Sequence, residues 1–220
     1  MTAEWRRFLY ALIGTALGGL LAAFLFAAIV DPYEDLPLSP PLDRAPVDTN
    51  ARYAHPALAR SARFDSAVFG TSSSRLLRPA VLDPLFGARF ANLAMNAATP
   101  YEQSRLMEVF ARAHRDPRVV ALGLDVVWCV TGPTFAHFTP RPFPAWMYGG
   151  NRWAGYVHLL DLGTLEMAGR ELGVATHLRA PRYGRDGYTS FVPPDDQYDL
   201  ARARTHLLHG AYDPDGERNG

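Results

Sequence analysis

A single apolar segment near the N-terminus constrains this chain more than any other feature. Residues 8–30 contain no charged side chain, and as a helix they would be about 35 Å long, which exceeds the roughly 30 Å hydrocarbon core of a bilayer. Arg6 and Arg7 precede the segment, and Asp31 and Glu34 follow it. The positive-inside rule therefore predicts an uncleaved signal anchor with a cytoplasmic N-terminus. A cleaved signal peptide is the alternative, but the run is longer than the usual signal-peptide core and lacks a clear small-residue cleavage site.

The composition suits one globular domain after this anchor. Hydrophobic residues make up 48% of the chain and the formal net charge is zero, so the chain can bury a core and has no general attraction for nucleic acid. Cys129 is the only cysteine, which excludes an internal disulfide, and its apolar surroundings predict a buried thiol. We predict no metal and no cofactor.

The central part of the chain has the pattern of an α/β domain. Short apolar segments at residues 65–69, 89–95 and 119–130 are nearly continuous rather than alternating, which is typical of parallel strands buried on both faces. Residues 157–172 have a helical pattern, and residues 173–178 are a candidate fourth strand. We therefore expect a parallel sheet with flanking helices.

The helix between the second and third predicted strands has the clearest local signals. Thr99 is a good N-cap, Pro100 falls at the first helical position, and Glu102 at the third completes a capping box. Apolar residues then repeat with helical spacing as far as Ala113. Strand, helix and strand together predict a βαβ unit with a right-handed crossover.

An aromatic and proline-rich segment follows the third predicted strand, at residues 131–153. A connection this long without regular structure is often a lid or a binding loop. The alternative is a meander that buries its own rings against the domain.

The first predicted strand ends in a serine-rich turn, FGTSSSR, at residues 69–75. Open α/β sheets bind their ligands at the carboxyl ends of the strands. Three interpretations are open: a serine nucleophile beside backbone amides, an anion cradle that uses Arg75 and Arg78, or serines that satisfy backbone groups in a turn.

Four motifs follow one another along the chain: VDPY at residues 30–33, the serine-rich turn, NLAMNAATPYE at residues 92–102 and VVALGLD at residues 119–125. With them the chain resembles a group of bacterial membrane-anchored proteins related to the SGNH/GDSL hydrolases. The resemblance implies a flavodoxin-like α/β fold. It also implies esterase or acyltransferase activity on an envelope glycan or lipid.

The resemblance also implies candidate site residues. In the family a Gly-Asp-Ser turn ends the first strand and its serine is the nucleophile. Gly70, Thr71 and Ser72 stand at those positions, so Ser72 is the candidate nucleophile. The family's second block supplies a glycine amide to the oxyanion hole, and this chain has Ala97 at that position. The family's third block is Gly-x-Asn, and the corresponding block of this chain has Asp125 in place of the asparagine.

Two departures from the family pattern argue against efficient catalysis. An asparagine donates an N–H to the developing oxyanion, whereas an ionised Asp125 accepts only and repels it. The family's last block, Asp-x-x-His, does not occur in these residues. His206 and His209 are candidate substitutes for the base, and their spacing also suits two metal ligands. A serine without a base is a poor nucleophile.

These observations predict a weak or inactive hydrolase-like protein. The alternative is a non-catalytic envelope binding or scaffold domain, in which Arg75 holds an anion. The expected partners are membrane lipid, through residues 8–30, and an envelope glycan or acyl substrate, but not nucleic acid. The predicted location is the bacterial inner membrane, with the domain extracytoplasmic.

The predicted organisation divides the chain into consecutive parts. Fewer strands are predicted than a full domain of this kind needs, so we expect a domain that is incomplete at its C-terminus or a variant without the catalytic machinery. The parts are a cytoplasmic N-terminus (1–7), the anchor (8–30), a proline-rich linker (31–60), an SGNH-like α/β domain (61–208) and a disordered tail (209–220).

Overall fold

The computed structural model describes residues 3–39, 44–129 and 139–209. Within them the chain is an α/β structure with a parallel sheet, which confirms the predicted class. The described residues from Ser190 onward, which contain the last helix, belong to a separate compact unit. The helices are α1 (Ala3–Val30), α2 (Ala51–Arg60), α3 (Pro79–Phe86), α4 (Pro100–Ala113), α5 (Leu162–Ala175) and α6 (Leu200–His209), and the strands are β1 (Ser66–Phe69), β2 (Phe90–Asn92) and β3 (Val119–Leu122).

The first helix, α1, is long and apolar enough to cross a membrane, and it is the one such helix among the described residues. Ala27 is the residue of α1 that is buried against the rest of the chain. The predicted apolar N-terminal helix is therefore confirmed. Its orientation in a membrane stays a prediction.

The three strands lie in the order β2-β1-β3 and are all parallel. Their positions agree with the predicted segments, but β2 covers only three residues of the predicted segment 89–95, and β3 is also shorter than predicted. It ends at Leu122, and a 3₁₀ turn follows at Val126–Trp128. Cys129 comes directly after this surface turn and is exposed, so the prediction of a buried thiol was wrong.

Helices cover both faces of the sheet. On one face Phe69 of β1 packs against Phe110 of α4, with ring centroids 5.8 Å apart. On the other face Val68 forms a cluster with Phe90, and Leu82 of α3 packs against it. β1 and β2 are buried throughout, but β3 alternates between half-buried and exposed residues. Both β2 and β3 lie at edges of the sheet, and continuous burial was a wrong prediction for β3 alone.

The capping box of α4 forms as predicted. The Thr99 side chain accepts from Glu102 N at 3.2 Å, and Thr99 N donates to Glu102 Oε2 at 3.1 Å. Glu102 also pairs with Arg52 of α2, with Arg52 Nη2 2.6 Å from Oε2 and both side chains fully buried. This ion pair joins α2 to the first turn of α4.

The predicted linker, residues 31–60, contains the well-packed helix α2. Asn50 caps this helix by accepting a hydrogen bond from Arg52 N at 3.2 Å. Pro56 lies inside the helix and cannot donate to the Arg52 carbonyl one turn earlier. The Tyr148 hydroxyl donates to that carbonyl at 2.8 Å instead, so a distant residue completes the hydrogen bonding of α2.

The candidate fourth strand at residues 173–178 was a wrong prediction, because α5 continues to Ala175. Asp161 caps the start of α5 by accepting from Gly163 N at 3.3 Å. At the other end Thr176 N donates to Leu172 O at 2.9 Å, and His177 is left-handed with φ 59°.

In the described part of the aromatic segment, the rings pack on the domain, with the exception of Trp153 at the end of the segment. Residues 130–138 lie outside the described residues. In the remainder, Tyr148 is fully buried and Phe143 stacks on it with centroids 4.3 Å apart. Trp153 is exposed. The described part therefore favours the meander over the lid. Residues 210–220 of the predicted tail also lie outside the described residues.

Candidate functional site

The serine-rich turn follows the central strand of the sheet. β2 and β3 lie on opposite sides of β1, an arrangement that leaves a crevice at the carboxyl ends of the strands. Met95 N donates to Gly70 O at 3.0 Å, and Gly123 N donates to Phe69 O at 2.9 Å. These two bonds bring the three sequence blocks of the predicted site to one edge of the sheet.

Two glycines make room for the third serine of the turn. Ser74 is buried, and its Oγ lies between Gly70 and Gly123. A Cβ would lie 2.1 Å from this oxygen if built on Gly70 and 2.0 Å from it if built on Gly123. Gly70 also has φ 144°, a conformation that side chains disfavour. Ser74 is therefore a structural serine.

The hydroxyl groups that solvent can reach belong to Ser72 and Ser73. Thr71 between Gly70 and Ser72 is buried, at 6% exposure. Ser72 is the first exposed hydroxyl after β1, as a nucleophile at this edge requires. Because Ser73 is exposed as well, exposure alone does not distinguish the two serines.

The side chain of Asp125 is held against the turn by hydrogen bonds to both of its carboxylate oxygens. Thr71 Oγ1 donates a hydrogen bond to one of its carboxylate oxygens, and Val127 N donates to the other at 3.2 Å. A carboxylate that accepts at both oxygens has no N–H or O–H to offer an oxyanion. The contact also fixes the orientation of Thr71.

Ala97 has the backbone conformation of a glycine. It lies between β2 and α4, is exposed, and has φ 51°. The left-handed conformation costs a residue with a side chain on the order of 1–2 kcal/mol. The turn between β2 and α4 therefore holds Ala97 in a strained but accessible position.

The two arginines of the proposed anion cradle differ in their exposure: Arg78 is exposed and Arg75 is not. Arg75 is buried, at 8% exposure. Arg78 donates from Nε to the Tyr188 hydroxyl at 3.2 Å, and its guanidinium lies over the same ring, 5.9 Å from the centroid. Arg75 therefore has little contact with solvent, whereas Arg78 is accessible, and the anion cradle stays a prediction.

Asn92 positions the turn, and the sequence did not single it out. It ends β2 and is almost fully buried, and its Nδ2 lies 3.2 Å from Ser74 O, 3.2 Å from Arg75 O and 2.8 Å from Leu77 O. The one signal in the sequence that could have indicated its role is that Asn92 is a polar residue at the end of an apolar strand. Because the three carbonyls belong to a remote segment, the sequence could not show that Asn92 binds them.

Within the described part of the chain, no hydrogen bond joins Ser72 to a histidine. His114 Nε2 lies 3.1 Å from Ala59 O, and the His158 ring stacks on Trp146 at 4.5 Å. The side chains of the candidate bases His206 and His209 lie outside the description. The general base therefore stays unassigned.

His55 is a buried histidine of α2 that the sequence did not mark. Its ring meets that of Tyr183 edge-on at 5.6 Å. Burial, with a smaller contribution from the charge of Arg75, lowers the pKa of His55 to about 3, so the ring is neutral at physiological pH. Being fully buried, it cannot touch a substrate.

The described residues contain no group of three or more His, Cys, Asp or Glu side chains that could hold a metal ion.

Comparisons with known protein families, with curated proteins and with solved structures gave no match for this chain. The family resemblance therefore stays a prediction from the four motifs.

Proposed function

We propose that the chain is an SGNH-like protein of the bacterial envelope, anchored in the inner membrane, with Ser72 as a weak nucleophile for ester hydrolysis or acyl transfer. The substrate class is an envelope glycan or lipid. The observation that carries the proposal is the exposed Ser72 hydroxyl at the carboxyl end of the central strand. The parallel order β2-β1-β3, with helices on both faces, is also what the start of a flavodoxin-like sheet requires.

The conformation of Ala97 supports the resemblance. The family pattern has a glycine at this position, and φ at Ala97 is 51°, a value that glycine adopts at little cost. The backbone thus has the form that the family's glycine would take, although the side chain differs. In this proposal the Ala97 amide serves as an oxyanion donor.

Asp125 accounts for the weakness that we propose. Attack of the Ser72 hydroxyl on an ester carbonyl forms a C–O bond and places negative charge on the carbonyl oxygen, while the hydroxyl proton passes to a base. Asp125 accepts hydrogen bonds at both oxygens, so it repels that charge where the family has a donor. Loss of one such donor typically costs about 10²–10³ in rate.

A serine-directed fluorophosphonate probe tests this proposal on the purified full chain. We expect slow labelling that Ser72→Ala abolishes and that Ser73→Ala, a matched change at the neighbouring exposed serine, leaves intact. Labelling that survives Ser72→Ala would assign the chemistry to another residue. A folded protein that takes up no probe would argue against any serine chemistry.

The second candidate is a non-catalytic envelope binding or scaffold domain. It is favoured by the same Asp125 contacts, because they fix an acceptor in place of an oxyanion donor. This candidate predicts that the wild type is unlabelled and that Ser72→Ala binds purified envelope glycan as well as the wild type does. Glycan binding lost in Ser72→Ala would contradict it.

A further inference from the structure

The end of α1 is fixed to the domain by hydrogen bonds rather than joined through a loose linker. Arg44 donates from Nη1 to Val30 O at 3.0 Å and from Nη2 to Asp31 O. The Asp31 carboxylate in turn accepts from the backbone N–H groups of Asp35 and Leu36, each at 3.2 Å. The position of the domain relative to α1 is therefore defined.

Part of the domain packs beside α1 before that helix ends. Ala27, Leu36 and Leu159 form a buried cluster, and Phe24 packs against it together with Tyr156. The rings of Phe24 and Tyr156 have centroids 6.4 Å apart. A bilayer core spans about 20 helical residues, so a span that begins at residue 8 ends close to Ala27. With α1 across the bilayer, as proposed above and as this inference requires, Tyr156 lies at the outer boundary of the hydrocarbon region.

The segment around Tyr156 exposes large apolar side chains at this level. Trp153 is 58% exposed, Val157 82%, Leu160 45% and Leu162 82%. We call these four residues the interfacial patch. Tryptophan and tyrosine are enriched where membranes meet water, and Trp153 stacks on Tyr156 at 5.7 Å. The patch continues the apolar surface of α1 outward onto the domain.

The direction of α5 shows which end of the domain faces away from the membrane. Leu165, near the start of α5, packs against the cluster that contains Ala27. Glu171, further along, lies 3.4 Å from Arg44 Nη1, which binds the last carbonyls of α1. Helix α5 therefore runs in the same direction as the end of α1. The first residue of α5 lies towards the membrane, and Leu178, which follows the end of α5, lies away from the membrane.

We propose that the interfacial patch is a second membrane contact, whose occupant is the headgroup and upper acyl region of the leaflet that α1 leaves. The side chains enter this region because the bilayer that surrounds α1 also reaches the residues in contact with Phe24. Residues 153–162 contain no lysine or arginine. Of the two residues among them that can carry a charge near neutral pH, Asp161 caps α5 by accepting from a backbone N–H, and the His158 ring stacks on Trp146. Binding through the patch therefore depends on the burial of apolar side chains and not on attraction of lysine or arginine to anionic lipid.

Spin-label accessibility in the full chain tests the proposal. In a Cys129→Ser background, a nitroxide is attached at Leu162→Cys and, as the matched control, at Leu178→Cys, since both leucines are 82% exposed. A third label at Leu17→Cys reports on α1. The protein is reconstituted in vesicles of phosphatidylethanolamine and phosphatidylglycerol, and relaxation by oxygen is compared with relaxation by a water-soluble nickel chelate.

We expect position 162 to be several-fold more accessible to oxygen than to the nickel chelate, like position 17, and position 178 to show the reverse. If the label at position 17 is in lipid and the label at position 162 is in water, the proposed membrane contact of the interfacial patch is wrong, although α1 still spans the membrane. Position 17 in water would overturn both. Equal protection at positions 162 and 178 would also overturn the proposal, because it would show no orientation of the domain.

Discussion

At the residue scale, the hydroxyl of Ser74 leaves no room for a side chain at position 70. A Cβ at Gly70 would lie 2.1 Å from that oxygen at a φ of 144°. We expect Gly70→Ala to lower the free energy of unfolding by about 3 kcal/mol, through crowding and backbone strain.

Urea unfolding followed by circular dichroism measures this loss. Gly150→Ala is the matched control, because a Cβ there would meet no atom within 4 Å, and we expect a change within about 0.5 kcal/mol. Equal effects of the two substitutions would contradict the role given to Ser74.

His55 makes stability depend on pH in a defined direction. Its folded-state pKa of about 3 lies below the ordinary value of 6.5 for histidine, so below pH 6.5 the unfolded chain binds a proton that the folded chain does not. The free energy of unfolding therefore falls as the pH falls, by about 2 kcal/mol between pH 7 and pH 5 from this residue alone. We expect His55→Leu to remove that part of the pH dependence.

The measurement is the difference between wild type and His55→Leu in urea unfolding at the two pH values. Burial raises the pKa of Asp35 to about 6, and a raised acid pKa stabilises the folded state towards low pH. That opposing contribution is present in both proteins and cancels in the comparison. An identical pH dependence of the two proteins would show that His55 is not buried as a neutral ring.

The sequence predicted the turn at residues 70–75 but not which serine is buried. The turn is a local feature, since a strand that ends in glycine and serines has few other conformations. The burial of Ser74 depends on Gly123, and the shape of the turn depends on Asn92. Both residues reach the turn only when the sheet has formed.

At the element scale, α2 depends on a hydrogen bond from outside the helix. Tyr148 donates to the Arg52 carbonyl that Pro56 leaves without its helical partner. We expect Tyr148→Phe to cost about 1–3 kcal/mol in the wild-type background, and clearly less in a Pro56→Ala background, where residue 56 regains an N–H.

A double-mutant cycle in urea unfolding measures this coupling. Tyr198→Phe is the control, because Tyr198 is exposed, and we expect it to have no effect in either background. Strictly additive effects of Tyr148→Phe and Pro56→Ala would contradict the shared carbonyl.

The elements that the sequence predicted are those with local signals. The start of α4 was predicted because Thr99, Pro100 and Glu102 are neighbours in the chain. Helix α2 was missed because the five prolines in residues 31–50 suggested a linker, and its buried Arg52 pairs with the distant Glu102.

The exposure of β3 was missed because burial at a sheet edge depends on remote parts of the chain. The other edge strand, β2, is covered by a distant segment, where Asn92 N donates to Asp186 O at 2.7 Å.

At the scale of the whole molecule, the exposed Cys129 reports on which side of the membrane the domain lies. It is the only cysteine in the sequence. The charges that flank α1 predict that the domain is extracytoplasmic, so we expect a membrane-impermeant maleimide to label the full chain in intact spheroplasts.

Cys129→Ser should abolish this labelling. Glu4→Cys in the same background should react only after the membrane is permeabilised. The reverse pattern, with Glu4→Cys labelled from outside and Cys129 protected, would contradict the predicted orientation.

The most direct test of the proposed site is the effect of Asp125→Asn on Ser72 chemistry. The change removes a negative charge beside the turn and supplies an N–H donor, so we expect the rate of fluorophosphonate labelling and of aryl-ester hydrolysis to rise by about 10²-fold. Asp125→Ala removes the charge without supplying a donor and should give a smaller gain. The rise must disappear in the double variant with Ser72→Ala. A rate unchanged by Asp125→Asn, or a gain that persists without Ser72, would contradict the assignment of this turn as an SGNH-like site.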